Sequence, residues 1–486
     1  MSFFSFLESI PSISSVVLKY YTEGPPKKSW DLRFHLAIAM IKDGLASKLS
    51  IEQIQEGFDT YFKFKTYPNI TIKDVILDDE YRQKSKAHLE KILKQYVDVL
   101  DEKWKDPNDK GLHGEWQYIN EKTSETDNVI LYLHGGGFCI GSPKYVRLIT
   151  IKFVKFADCR VFSLNYRLSP QNQFPAALCD SIAAYLYLTN PGPNAGFEPI
   201  NPKRIILAGE NAGGNLVFST LLFLRDAGLP LPAGAIALSP WVDLTQSMPS
   251  KWDSEIDKID FVPSELGYFT NVPSSPAMDE FYANTKVLAD KIALKNPKIV
   301  SHPSFTEVPR FNLYCVNEAL AIPYVSPMLA ESLGNLPPIL CQVGGDEKFR
   351  DETVLICHKA SSPHEYQLPS YATKNFEKSP FKKPTNVILE VYDDMPHVFH
   401  MFTFSKPSQV AVKRCCDFIK RVSSIEDNNT SMIDIINEDI VSSSISVSSS
   451  FTAIRVGTDG MIRELNETDR DCLKWNEIGV VPKSNL

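Results

Sequence analysis

From about residue 129 onward, short unbroken apolar runs alternate with longer stretches whose apolar residues recur every three or four positions. The runs at 129–133, 160–164, 204–208, 234–238, 338–343 and 386–392 are rich in β-branched residues and bounded by turn formers. Runs of this length without polar alternation predict strands buried on both faces, the pattern of a mostly parallel sheet. The stretches at 176–188, 213–226, 351–358 and 408–422 have helical periodicity. Strand and helix in alternation predict an α/β fold whose sheet is mostly parallel and doubly wound.

Two regions break the rhythm. Residues 1–114 form a lead in which 30–45 and 81–104 read as amphipathic helices, and an insertion at about 245–323 separates two runs that should be sheet neighbours. Both are expected to roof a pocket above the sheet as a helical cap. The core then occupies 115–425, with an exposed Lys-, Pro- and Ser-rich loop at 361–384. The remainder, 426–486, reads as a linker carrying the serine tract 442–450, followed by a tail that regains Trp475 and aliphatic residues with which to dock on the core.

Composition narrows the functional classes. The 486 residues are 43% hydrophobic, so a large core can form, and 51 Lys and Arg against 59 Asp and Glu leave a net charge of -8. That balance argues against a nucleic-acid partner, which would need a basic face. The nine cysteines lie mostly in apolar segments without metal-ligand spacing, which predicts reduced, buried thiols, no metal and no cofactor. Residues 1–21 are apolar in places, but Glu8, Pro11 and several serines interrupt them, and no basic leader or small-residue cleavage site is present. The expectation is a cytoplasmic protein with neither signal peptide nor membrane span. A short amphipathic N-terminal helix would be its peripheral contact with the endoplasmic reticulum or a lipid droplet.

The candidate chemistry begins with His134-Gly135-Gly136-Gly137-Phe138, directly after the 129–133 run. Glycines let backbone amides approach a ligand closely, and a loop of them after a strand builds an oxyanion hole. At 206–216 the chain reads Ile-Leu-Ala-Gly-Glu-Asn-Ala-Gly-Gly-Asn-Leu, a strand, a tight turn and a helix start in the manner of a nucleophile elbow. The reactive position of that elbow holds Asn211, where a hydroxyl is expected.

Further motifs follow in order: Asn165-Tyr166-Arg167-Leu168-Ser169-Pro170 with Phe174-Pro175-Ala176-Ala177, then Ser239-Pro240-Trp241-Val242-Asp243-Leu244, Pro323-Tyr324-Val325-Ser326-Pro327 and Met395-Pro396-His397-Val398-Phe399. Over residues 20–425 the set resembles the hormone-sensitive-lipase branch of the α/β-hydrolases. Gly24-Pro25-Pro26, Ser29-Trp30 and the tail are more narrowly similar to fungal esterases related to sterol acetyl esterases. The resemblance implies an α/β-hydrolase fold and a triad running nucleophile, acid, histidine along the chain. His397 would be the general base, with His400 a less favoured substitute. The acid would lie in Gly344-Gly345-Asp346-Glu347: counting back from Arg350-Asp351-Glu352 selects Glu347, and distance from the strand end selects Asp346. The shorter reach of Asp346 tilts the choice toward it, with both left open. The amides of Gly135, Gly136 and Ala212 would hold the oxyanion.

Members of this branch usually read Gly-Asp-Ser-Ala-Gly-Gly at the elbow, and this chain has Gly209-Glu210-Asn211-Ala212-Gly213-Gly214. A carboxamide nitrogen is delocalised into its carbonyl and offers no lone pair for attack. The expectation is a hydrolytically impaired protein that binds a small lipophilic ester or sterol-like ligand. The alternatives are a carboxylic-ester hydrolase working through water activated by His397, and a scaffold or partner-binding protein whose cap has collapsed onto the elbow.

Overall fold

The computed structural model describes residues 3–46, 48–60, 67–107, 109, 111–120, 128–263, 272–295, 312–363, 366, 368–373, 378–424 and 450–465. Their centre is one ten-stranded sheet. Its strands are β1 (Ile70–Leu77), β2 (Leu112–Ile119), β3 (Asn128–Leu133), β4 (Cys159–Asn165), β5 (Ile205–Glu210), β6 (Gly234–Leu238), β7 (Ile339–Gly344), β8 (Val387–Tyr392), β9 (Phe451–Val456) and β10 (Ile462–Glu464). They lie in the order β1-β2-β4-β3-β5-β6-β7-β8-β9-β10. Every pairing from β4 through β9 is parallel, while β1, β2 and β10 join antiparallel at the two edges.

The six expected runs are β3 to β8, and their composition explains their place. β5 through β8 are buried along their whole length, so they are mostly apolar on both faces, and the polar Gln342 and Glu390 within them bond to each other. Each buried Ile, Leu or Val there contributes about 1.5–3 kcal/mol. Alternate residues serve two cores. Val129, Leu131, Ile205 and Leu207 pack with the helices Ala176–Thr189 and Ala212–Asp226. Ile130, Tyr132, Ile206 and Ala208 pack with the helices Pro143–Phe156 and Lys406–Val422. Helices thus cover both faces, and the fold is that of an α/β-hydrolase.

The lead departs from its helical reading. Besides helices at Leu32–Leu45 and Ile51–Thr60 it supplies β1, and β2 runs across the boundary drawn at 114. Lys73 and Asp74 are exposed on β1, so this edge strand lacks the apolar signal of the interior ones. The helix expected at 81–104 stops as Asp79–Ile92 and continues as 3-10 turns at Lys94–Val99 and Glu102–Lys105. Tyr96, Val99, Leu100 and Trp104 are all buried against the main core, and their packing overrides the helical period.

The tail also joins the sheet. β9 pairs in parallel with β8 directly after the serine tract, burying Ile454 and Val456. Residues 425–449 and 466–486, with most of the expected linker and with Trp475, lie outside the described residues. Eight cysteines are described, and each is buried. Among the described residues no helix is long and apolar enough to cross a membrane.

Candidate active site

β5 ends at Glu210, the next helix starts at Ala212, and Asn211 makes the whole turn with φ 53° and ψ -118°. Asparagine tolerates positive φ better than most residues do. The turn closes only because its neighbours are small: a Cβ on Gly213 would stand 1.9 Å from the Leu133 carbonyl oxygen. The backbone N–H of Asn211 donates to Leu238 O at 3.0 Å and its carbonyl accepts from Trp241 N at 3.0 Å, which fixes the turn to β6 and its exit loop.

The Asn211 side chain is held at both ends. Its Oδ1 accepts from the backbone N–H of Ala212 at 2.6 Å and of Gly137 at 3.0 Å. Its Nδ2 lies 2.7 Å from His397 Nε2. On the far side of the ring, His397 Nδ1 lies 3.1 Å from Glu347 Oε1. An Nδ1–H facing the carboxylate leaves the Nε2 lone pair to accept from the carboxamide, so the three side chains form one consistent chain of donors.

Glu347 is anchored through its other oxygen, which accepts from Gly344 N at 2.7 Å and from the Ser239 hydroxyl at 2.7 Å. Ser239 Oγ in turn accepts from Val398 N at 3.1 Å, joining the acid loop to the histidine loop. Burial pushes the Glu347 carboxyl above its ordinary value, and the bond from His397 opposes that shift. The tilt toward Asp346 is therefore corrected. Asp346 is partly exposed and pairs with Lys27 at 2.9 Å, while Glu347 and the following Lys348 are both buried. His400 is no substitute for His397: it is buried away from the elbow, its Nε2 lies 3.1 Å from Gln342 Oε1, and burial pushes its pKa down to about 3.

The oxyanion loop is also corrected at one position. The Gly135 N–H donates to Glu210 Oε1 at 2.6 Å, so it points into the protein, and Gly137 takes its place toward the elbow beside Ala212. The turn at Gly136, with φ 103°, sends the chain past Ile140, whose carbonyl oxygen leaves no room for a Cβ. Glu210, which replaces the usual aspartate, thus clasps the oxyanion loop to the elbow, and the Tyr145 phenol donates to the same oxygen. Burial pushes the Glu210 carboxyl up to about 7 against the pull of those bonds.

Asp260, in the insertion, is a further anchor with no local sequence signal. Its Oδ1 accepts from His397 N at 3.1 Å and its Oδ2 from Lys348 N at 2.7 Å. Phe349 and Phe261 stand edge-on to the imidazole at 4.9 and 5.5 Å. Ser239, Glu210 and Gly137 were visible in the motifs, but their roles depend on which way each group points.

A cavity of about 240 Å³ opens over Asn211 and His397, so the cap has not collapsed onto the elbow. Ile41, Leu45 and Phe58 of the lead and Phe261, Val262 and Pro263 of the insertion roof it, and Leu148, Trp241, Phe349 and Met401 line its sides. Among the described residues, no lysine, arginine or acidic side chain borders it.

A family model described as alpha/beta hydrolase fold matches residues 130–270. The chain is 30% identical over 273 residues to an acetyl-hydrolase of Streptomyces hygroscopicus, covering 56% of this chain and 68% of that protein. It is 31% identical over 251 residues to an esterase of Acinetobacter venetianus, covering 51% of this chain and 66% of the relative. Among solved structures it is similar to an esterase from the bacterial hormone-sensitive lipase family, at 26% identity and a TM-score of 0.50, over 79% of this chain and 96% of that one. The chain belongs to the α/β-hydrolase family, among its esterases and lipases.

Proposed function

We propose that this protein is a hydrolytically impaired α/β-hydrolase that binds a small, neutral, lipophilic ligand in the cavity over Asn211. The observation that carries this reading is the carboxamide of Asn211 in the nucleophile's position, with Nδ2 against His397. Removing a proton from a carboxamide does not generate a competent nucleophile at neutral pH, and the base that would activate a water is already bonded to Asn211. Loss of a triad nucleophile typically lowers kcat by about 10⁶. The intact apolar cavity supports binding as the retained property, and the narrower resemblance to sterol acetyl esterases agrees with a lipid-like ligand.

On this reading the protein works in the cytoplasm, and its N-terminal helix, which exposes Leu18 and Tyr21, is the contact with a lipid surface. The test is hydrolysis of p-nitrophenyl butyrate by the purified protein, together with saturable binding of a neutral fluorescent lipid. The expected result is binding with no turnover above the buffer rate. Turnover above that rate which disappears in His397→Ala would overturn the proposal in favour of a working esterase, and absence of any lipid binding would favour a scaffold.

A further inference from the structure

Esterases of this fold aim two or three backbone N–H groups at the place where a substrate's carbonyl oxygen becomes an oxyanion. Here two such donors, Gly137 N and Ala212 N, both reach Asn211 Oδ1, at 3.0 and 2.6 Å. The neighbouring Gly135 N–H is committed to Glu210. The Asn211 carboxamide therefore stands where an ester carbonyl would stand, with its oxygen in the amide cradle and its nitrogen on the general base. The elbow is occupied by its own side chain, and its filled state resembles an ester already bound.

We infer that the cavity recognises a neutral apolar ligand through a single oxygen acceptor and does not read an ester carbonyl in the amide cradle. This rests on the lipid-binding reading above and narrows its ligand class. For a ligand carbonyl to reach Gly137 N and Ala212 N, the Asn211 oxygen must give up both bonds in a mostly apolar surrounding, so the exchange yields no net gain. A ligand oxygen that stays outside the cradle makes no such demand. A carboxamide nitrogen carries two hydrogens, one is directed at His397, and the other has no acceptor among the described residues on a residue that borders the cavity. A single ligand oxygen, of a hydroxyl, an ether or an ester, can accept that hydrogen while the alkyl body packs against Phe261, Phe349, Leu148 and Met401. An ionised ligand finds no opposite charge among the described residues of these walls.

Three neutral probes of matched chain test this: octyl propanoate, the octyl propyl ether that lacks only its carbonyl oxygen, and 1-undecanol, each displacing a neutral fluorescent probe from the full-length protein. The expected result is ester, ether and alcohol dissociation constants within about threefold of one another. In Asn211→Gly, which keeps the positive φ and empties the cradle, the ester should gain about tenfold over the ether. A wild-type protein that binds the ester tenfold tighter than the ether would overturn the inference and leave lipid binding intact. Failure of all three probes to bind would overturn the lipid-binding reading and this inference together. The wild-type comparison decides even where Asn211→Gly does not fold.

Discussion

Asn211 Nδ2 and His397 Nε2 are 2.7 Å apart, joined across 186 residues of chain. The general base of the fold is thus held by the residue that replaced its nucleophile. With Glu347 behind the imidazole, every member of the relay except the hydroxyl is in place.

Restoring that hydroxyl should restore chemistry. Asn211→Ser frees the Gly137 and Ala212 amides and puts an O–H within reach of His397. Hydrolysis of p-nitrophenyl butyrate should rise by about 10³-fold or more over wild type, out of the roughly 10⁶ that such a serine supplies. A rate unchanged from wild type, in a variant that melts normally, would show that the cavity no longer presents an ester to the elbow.

The two adjacent carboxylates should separate cleanly in that active background. Glu347→Gln removes the group that orients His397, and kcat should fall by about 10⁴. Asp346→Asn breaks only a partly exposed bridge to Lys27, worth about 1 kcal/mol or less, and should leave kcat within about twofold. The opposite ranking would reinstate Asp346 as the acid.

Glu210 predicts a pH signature in stability. Its folded value, about 7, lies above its ordinary 4.5, so the folded protein holds this proton longer than the unfolded chain does. The stability it confers is fully present below about pH 4.5 and is lost as pH rises to about 7. The loss is about 3 kcal/mol, at about 1.4 kcal/mol per unit. Glu210→Gln keeps an acceptor for Gly135 and Tyr145 but cannot ionise. Urea melts at pH 5 and pH 8 should show the wild type losing about 3 kcal/mol more than the variant, and equal losses would remove Glu210 as the cause.

Asp260 should act through His397 rather than on substrate. In the Asn211→Ser background, Asp260→Asn leaves one of two buried N–H groups, on His397 or Lys348, without its acceptor, at a cost of about 1–3 kcal/mol. The shifted imidazole should lower kcat by about tenfold to a hundredfold with KM little changed. A change confined to KM would place Asp260 in ligand binding instead.

The six interior strands were legible because apolar residues dominate each run, and their few polar residues, such as Gln342 and Glu390, are too isolated to impose an alternation. β1, β2, β9 and β10 were not read as strands. They lie at or near the sheet edges, where one face or one end meets solvent and the hydrophobic signal is diluted. The elbow, the glycine loop and His397 were equally legible, since the turn tolerates few residue types: Gly213 has no space for a Cβ, and Asn211 must hold a positive φ.

The amino-acid sequence alone therefore determined the class of fold, the order of the site's parts and the absence of a hydroxyl at Asn211. The tertiary structure decided direction: Glu347 inward and Asp346 outward, Gly137 toward the elbow and Gly135 toward Glu210, Asn211 Oδ1 into the amide cradle. Adjacent residues in a loop differ by a rotation of the backbone, which composition and spacing leave undetermined. That rotation is set by contacts from Asp260 to His397, Ser239 to Glu347 and Tyr145 to Glu210, which join residues 137, 108 and 65 positions apart in the chain.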